Sequence, residues 1–343
     1  MNPMDLADFD YHLPQELIAQ RPVERRDASR LMVIRRADRT LEHRRFSELP
    51  ALLAPEDLLI LNNTRVFPAR LFGRKPSGAR VEVLLLREQA PHVWEALARP
   101  GRRCPAGSRL VFGEEALTAE VLASPDPSKR LLRFSARGDF WELVERLGQV
   151  PLPPYIRRPG GQTDALDRSR YQTVFAHCPG SVAAPTAGLH FTQELLARLR
   201  HCMITLHVGY GTFKPIHAQR IEDHRMEAEY YRIGPDAVER IQECRRLGGK
   251  VVAVGTTTTR ALETAAASAD GLTPSEGWTE LFIRPGHRFR LVDALITNFH
   301  LPRSTLLVLV AALADRELIL SAYREAVRQR YRFYSYGDAM LIL

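Results

Sequence analysis

Residues 251–263, Val-Val-Ala-Val-Gly-Thr-Thr-Thr-Thr-Arg-Ala-Leu-Glu, decide the fold class of this chain. Val251–Val254 is a short apolar run of β-formers and reads as a buried strand. Gly255 permits a sharp turn, and Thr257–Ala267 then carries a helical pattern. A strand entering a helix through a glycine is the repeating unit of a layered α/β domain. The turn offers free backbone N–H groups at the positive end of a helix dipole, and the threonine hydroxyls add donors. That combination suits a carboxylate, a ribose or a phosphate. It contains neither Gly-x-Gly-x-x-Gly nor a P-loop lysine, so neither nucleotide motif applies. Gly255, Thr256, Thr257 and Arg260 are therefore candidate binding residues, with an ordinary threonine-capped turn as the plain alternative.

Other elements follow on either side. Pro14–Gln20 reads as a short helix, Leu31–Arg35 and Thr40–Arg45 as a hairpin, Phe46–Leu53 as a helix and Asp57–Asn62 as a buried strand. Between about 69 and 150 the character changes to short alternating strands such as Val81–Arg87, Leu110–Phe112, Leu117–Leu122 and Leu131–Phe134. Gly and Pro turns separate them, and a helix at Asp139–Leu147 closes the stretch. This spacing predicts a small β-barrel or sandwich. Pro151-Leu-Pro-Pro154 is a stiff hinge. Beyond it, Thr192 caps a helix reaching Met203, a strand covers Ile204–Val208, and Asp236 with Glu239 opens a helix to Leu247. Helices at Ser304–Ala314 and Glu317–Arg330 and a strand at Ala339–Leu343 complete the chain. The expected architecture is an α/β main domain, 1–68 with 151–343, interrupted by an inserted small β-barrel domain, 69–150.

Three further segments share an unusual texture of polar groups set among Gly, Pro and apolar residues. Thr297-Asn-Phe-His-Leu-Pro-Arg-Ser304 precedes a buried helix and supplies Asn298 and His300. Pro179–Thr192 supplies Thr186, Gly188 and His190, and its histidine near a helix N-terminus is expected to stay neutral. Leu206–Pro215 bends at Gly209 and Gly211 and supplies His207, Tyr210, Thr212 and Lys214, with Tyr210 and Phe213 able to face a cation or stack on a base. Asn62–Arg65 and Tyr334–Asp338 are polar tips next to strands, where α/β proteins place ligands; Tyr336 and Asp338 are the candidates there. Each histidine taken singly is better read as a satisfied core residue. Three in such segments favour a composite site.

Composition bounds the function. The chain has 343 residues and a formal charge of +8, and 44 of its 48 basic residues are arginine. Arginine grips phosphate bidentately, which fits an RNA partner, although codon bias in a GC-rich genome produces the same excess. Arg99, Arg102 and Arg103 sit around a Pro-Gly turn, with Arg157 and Arg158 past the hinge, and are the candidate RNA contacts, with binding that weakens as salt rises. Cys104, Cys178, Cys202 and Cys244 are scattered, and no His-x-x-x-His pattern occurs, so neither a metal nor a disulfide framework is expected. The acidic N-terminus lacks the apolar core of a signal peptide, and the longest apolar run is about half of a bilayer crossing. A cytoplasmic, membrane-free monomer is the expectation.

Together these segments resemble one family, the S-adenosylmethionine:tRNA ribosyltransferase-isomerases of queuosine biosynthesis. The resemblance begins at Asp8-Phe-Asp-Tyr-His-Leu-Pro14 and Leu17-Ile-Ala-Gln-Arg-Pro22. It runs through Arg26-Asp-Ala-Ser-Arg-Leu31, Asn62-Asn-Thr-Arg-Val66 and Tyr171-Gln-Thr-Val-Phe175, and ends at Tyr331–Met340, with its weakest stretch between about 88 and 147. It implies S-adenosylmethionine as a ribosyl-donating co-substrate, with no metal. The acceptor would be a tRNA whose wobble position carries 7-aminomethyl-7-deazaguanine, and the products epoxyqueuosine-tRNA, adenine and methionine. It also implies an α/β domain with a β-barrel insertion. Where the family often has Gly-Thr-Thr-Ser-Val-Arg this chain has Gly255-Thr-Thr-Thr-Thr-Arg260, and Glu227 stands where the family often has His. The implied chemistry needs a base to remove a proton beside the sulfonium, for which His190 or His207 is the candidate, with His300 a further catalytic residue, ahead of departure of adenine. Arg260 and the Thr256–Thr257 turn are candidates for the methionine carboxylate. Tyr210, Phe213 and Phe299 could face the sulfonium, and Asn298 and Asp338 could read a purine edge. A conventional methyltransferase and a non-catalytic RNA-binding module are the rivals; the missing Gly-x-Gly turn counts against the first and the histidines against the second.

Overall fold

The computed structural model of the protein describes residues 4–343 except 162, 214, 215, 217, 219 and 270, with the side chains of Thr212 and Phe213 also outside the description. A nine-stranded mixed sheet forms the main layer, in the order Ser275–Thr279, Glu229–Ile233, His201–Leu206, Leu58–Asn62, Val251–Val254, Ala294–Asn298, Ala339–Ile342, Arg30–Arg35, Thr40–Arg45. The four strands from His201–Leu206 to Ala294–Asn298 are mutually parallel. Their period-two alternation divides the core. Leu58, Ile60, Val251 and Ala253 face helices Pro235–Arg246, Thr256–Ala266, Thr305–Ala314 and Arg316–Arg328. Leu59, Leu61, Val252 and Val254 face Phe46, Phe191, Leu195 and Leu196 on the other side. Both faces of these strands are covered, which is why Leu58–Asn62 reads as an unbroken apolar run.

The insertion is a closed antiparallel barrel. Arg70–Arg74, Arg80–Ala90, Val93–Arg99, Lys129–Ala136, Leu117–Ala123 and Arg109–Phe112 follow one another around it, and the last pairs back onto the first at Arg74 and Val111. Its strands alternate cleanly; in Lys129–Ala136, Arg130, Leu132 and Phe134 are buried while their neighbours are not. Helix Phe140–Leu147, N-capped by Asp139, closes one end. The inserted-barrel expectation holds.

Several local expectations do not. Pro14–Gln20 and Phe46–Leu53 contain only 3₁₀ turns, Gln15–Leu17 and Phe46–Ala51, and Pro50 inside the second removes a donor a longer helix would need. The helix after Thr192 is a single turn, Gln193–Leu196, because the strand begins at His201 and pairs with Leu58–Asn62. Helix Pro235–Arg246 starts on Pro235 with Gly234 as N-cap, without the Asp236–Glu239 box. Strands Glu229–Ile233, Ser275–Thr279 and the central Ala294–Asn298 were not anticipated. Their identity depends on partners far away in sequence. Among the described residues no helix is long and apolar enough to cross a membrane.

Candidate active site

A cavity of about 400 Å³ opens at the carboxyl ends of the parallel strands, the position where α/β sheets bind ligands. All eight residues of Thr297–Ser304 line it, with Ala183–Ala187, Gly255–Thr257 and Val208. The four segments singled out by sequence thus converge, although among the described residues of 206–215 Val208 alone lines the cavity. Register explains the convergence. Val254 pairs with Ile296, so the residues just beyond, Gly255–Thr257 and Thr297–His300, leave adjacent strands side by side.

The four threonines divide by role. Thr258 and Thr259 donate their hydroxyls back to the Val254 and Gly255 carbonyls, at 2.7 and 3.2 Å. Thr256 and Thr257 line the cavity, and among the described residues their hydroxyls have no hydrogen-bond partner. Gly255 holds φ +97°, a conformation that favours glycine, and no side chain caps the helix it begins. The first-turn N–H groups therefore remain for a ligand.

The three histidines separate in the same way. His300 lines the cavity, with Nε2 3.0 Å from Thr297 Oγ1 and Nδ1 without a partner among the described residues. Burial lowers its pKa from 6.5 to about 3, so it is neutral. His190 lies behind the wall. Its Nδ1 is 2.8 Å from Ser29 Oγ, and its Nε2 accepts from Asn298 Nδ2 at 3.1 Å. Both nitrogens are engaged, and burial, with Arg26 and Arg332 adding repulsion, lowers its pKa to about 3. It positions Asn298 and has no lone pair left for a substrate. His207 stacks on Tyr230, pairs with Thr64 Oγ1 at 2.9 Å and lies outside the cavity. Its pKa is lowered by burial.

These two deeply buried imidazoles make stability pH-dependent. Unfolded, each titrates near 6.5; folded, near 3. Between those values the unfolded chain binds more protons, so stability is full above about pH 6.5 and is lost as pH falls, at about 1.4 kcal/mol per pH unit for each histidine. Urea unfolding at about pH 7.5 and about pH 5 is expected to show this loss, and His190→Gln to flatten the slope. An identical slope in the variant would remove His190 from the account.

Other sequence candidates receive structural roles. Arg260 is 3% exposed and forms a buried ion pair with Glu229; its Nε donates to the Leu281 carbonyl at 2.8 Å and its Nη2 to the Thr279 carbonyl at 3.2 Å. These bonds tie the Thr256–Ala266 helix to strands Glu229–Ile233 and Ser275–Thr279, and Arg260 is not among the residues that line the cavity. Asp338 accepts from the backbone N–H groups of Arg30 and Arg332, at 2.9 and 2.8 Å, and is not among the residues that line the cavity. Tyr336 points to Asp167, outside the cavity. Gly188 packs against Phe175 and Thr173, where a Cβ would fall 2.7 Å from the Phe175 ring. Gly209 donates its N–H to Glu229, and Gly211 lies against the Glu227 carboxylate. Tyr210 belongs to a second pocket beside the barrel. Thr186 and Asn298 line the cavity as expected. The Phe299 ring is packed among Tyr323, Tyr331 and Phe333, which leaves no face for a sulfonium. The Asn62–Arg65 tip is an internal staple, with Asn62 bonded to both backbone groups of Leu206. Thr212, Phe213 and Lys214 fall outside the described side chains.

Among the arginines, Arg99, Arg102, Arg103 and Arg157 are exposed. Arg158 is not available; its side chain is 5% exposed and clamps Asp167 through two bonds of 2.7 and 2.6 Å. Among the described residues no group of three or more His, Cys, Asp or Glu could hold a metal ion.

Known proteins match this chain end to end. The model of the family described as "Queuosine biosynthesis protein" matches residues 6–342. The chain belongs to the queuosine biosynthesis protein family. Two relatives named S-adenosylmethionine:tRNA ribosyltransferase-isomerase, from Pelotomaculum thermopropionicum and Symbiobacterium thermophilum, are each 54% identical over 99% of this chain and 100% of their own. The crystal structure of an S-adenosylmethionine tRNA ribosyltransferase from Thermotoga maritima is 41% identical, covers 98% of this chain and 100% of its own, and superposes with a TM-score of 0.56.

In this family member the cavity also contains groups that sequence reasoning missed. Tyr155 and Tyr334 line it with ring centroids 3.9 Å apart, and Tyr155 Oη is 2.6 Å from Ser335 Oγ. Tyr334 holds φ +73°, a strained conformation for a tyrosine that clusters at functional sites. The Tyr334–Asp338 tip was legible; which of its residues line the cavity was not. Tyr155 had a weaker signal, its place directly after the Pro153-Pro154 hinge. Among the described residues that line it Arg303 alone is charged, and it is paired with Asp10 at 2.5 Å.

Proposed function

We propose that this chain transfers the ribosyl unit of S-adenosylmethionine to 7-aminomethyl-7-deazaguanine at the wobble position of tRNA and isomerises it, releasing adenine and methionine and leaving epoxyqueuosine in the tRNA. The observation that carries this reading is the cavity itself: an uncapped helix N-terminus, a neutral imidazole whose Nδ1 has no partner among the described residues, and two tyrosines around a space whose one described charged residue is paired.

The donor's methionine carboxylate takes the Thr256 and Thr257 N–H groups and hydroxyls, where the helix dipole favours an anion. The sulfonium meets the Tyr155–Tyr334 pair, whose ring faces attract a cation. Asn298, held by His190, contacts the donor's purine or its amino group. His300 Nδ1 accepts the proton from the carbon next to sulfur, which the cationic sulfur acidifies. His300 is weakly basic in the empty cavity, and a carboxylate bound nearby raises its pKa toward the useful range. Loss of adenine then opens the sugar to the aminomethyl nitrogen. Arg99, Arg102, Arg103 and Arg157 hold the tRNA backbone, Arg158 being engaged elsewhere. The working unit is a single cytoplasmic chain, with residues 69–150 as an inserted domain between 1–68 and 151–343.

S-adenosylmethionine labelled in its ribose, incubated with protein and precursor-bearing tRNA, is expected to place label in RNA with an equal amount of free adenine. Formation of S-adenosylhomocysteine without adenine would make the protein a methyltransferase, and tRNA binding without turnover would leave a binding module.

A further inference from the structure

A second pocket, about 260 Å³, lies between the outer wall of the barrel and the Pro151–Pro154 hinge, and it shares Pro154 with the first. Its floor breaks the barrel's own pattern. Val83, Leu85, Ala96 and Ala98 point into the barrel core, so Leu84 and Leu97, paired across adjacent strands, point out. An outward leucine pair on a barrel normally meets water. Here Leu84 is buried and the pair faces Pro153 and Tyr210 across the pocket. At its edge are Glu82, Arg70 and Arg99. Arg70 Nη1 is 3.6 Å from Glu82 Oε1, beyond hydrogen-bond distance, and Arg70 Nε is buried without a partner.

We infer that this pocket holds the acceptor nucleobase, with the Glu82 carboxylate accepting from the adjacent N1–H and 2-amino donors of a guanine-class pairing edge. The inference rests on the ribosyl-transfer reading above. A slot with an apolar floor and a proline and tyrosine wall suits a planar ring, and unpaired RNA bases are read by stacking together with hydrogen bonds to their pairing edge. A carboxylate has two acceptor oxygens and no donor, which matches the paired donors of guanine and repels a base with an acceptor at that edge. The 7-aminomethyl group sits on the far side of the ring from those donors. It is therefore free to reach the adjoining donor cavity past Pro154.

The test compares two tRNAs, one carrying 7-aminomethyl-7-deazaguanine and one carrying the same base without its 2-amino group. The wild-type protein is expected to prefer the first by about 10- to 100-fold in kcat/KM. Glu82→Gln, which replaces one acceptor by a donor, is expected to lower kcat/KM for the first by a similar factor and to bring the preference below about threefold, with the S-adenosylmethionine KM changed less than about twofold. Arg70→Gln separates base reading from the ion pair and is expected to keep the preference, whatever its absolute rate. A full preference in Glu82→Gln, or its loss in Arg70→Gln, would overturn the inference and leave ribosyl transfer standing. Absence of label transfer by the wild-type protein to either tRNA would overturn both.

Discussion

Replacement of His300 by alanine is expected to lower turnover by roughly 10²- to 10⁴-fold, the range for removing a general base, with a smaller change in the S-adenosylmethionine KM. Of the three candidate histidines it alone combines cavity access with a free ring nitrogen. His190 has both nitrogens committed, and His207 stacks on Tyr230 away from the cavity. The substitution leaves Thr297 Oγ1 without its partner but empties space on the cavity side, so the fold should survive, as a melting curve can establish. Added imidazole is expected to restore part of the rate, which loss of packing alone would not allow. Single-turnover rates within about tenfold of the wild type would place the base elsewhere.

The second large effect concerns stability. Arg260→Ala removes the buried guanidinium from beside the Glu229 carboxylate, which keeps the Gly209 N–H, at a cost of about 3–5 kcal/mol. Both side chains are 3% exposed, so solvent does little to relieve that charge. Replacing both partners, as Arg260→Met with Glu229→Leu, is expected to recover most of the loss, since an apolar pair of similar volume needs no desolvation of charge. Donor KM, measured on the folded fraction of Arg260→Ala, is expected to stay within about twofold of the wild type; urea unfolding and initial rates give both quantities. An unchanged unfolding midpoint with a strongly raised KM would return Arg260 to the donor carboxylate.

Much of the site was legible because its signals are local. Gly255 followed by threonines announces an uncapped helix start, and Thr297–Ser304 announces polar groups pressed against a core; both line the cavity. Arg260 misled for a local reason too. Four residues past the turn it looks like an anion ligand, and only the strand carrying Glu229, 31 residues upstream, shows that its charge is already used. Asp338 misled likewise, since its acceptors serve backbone amides from Arg30 and Arg332.

The sequence by itself determined what period and turn chemistry can express: buried parallel strands, a barrel insertion whose residues alternate, a stiff proline hinge and the segments that meet at the site. Tertiary structure decided which member of each polar set faces the cavity. His300 rather than His190, Thr257 rather than Thr258, and Tyr334 rather than Tyr336 line the cavity. The physical reason is that a buried polar group must find a partner. In this fold the nearest partners of His190, Thr258, Arg260 and Asp338 are other protein atoms, brought close by strand pairings that no local pattern specifies.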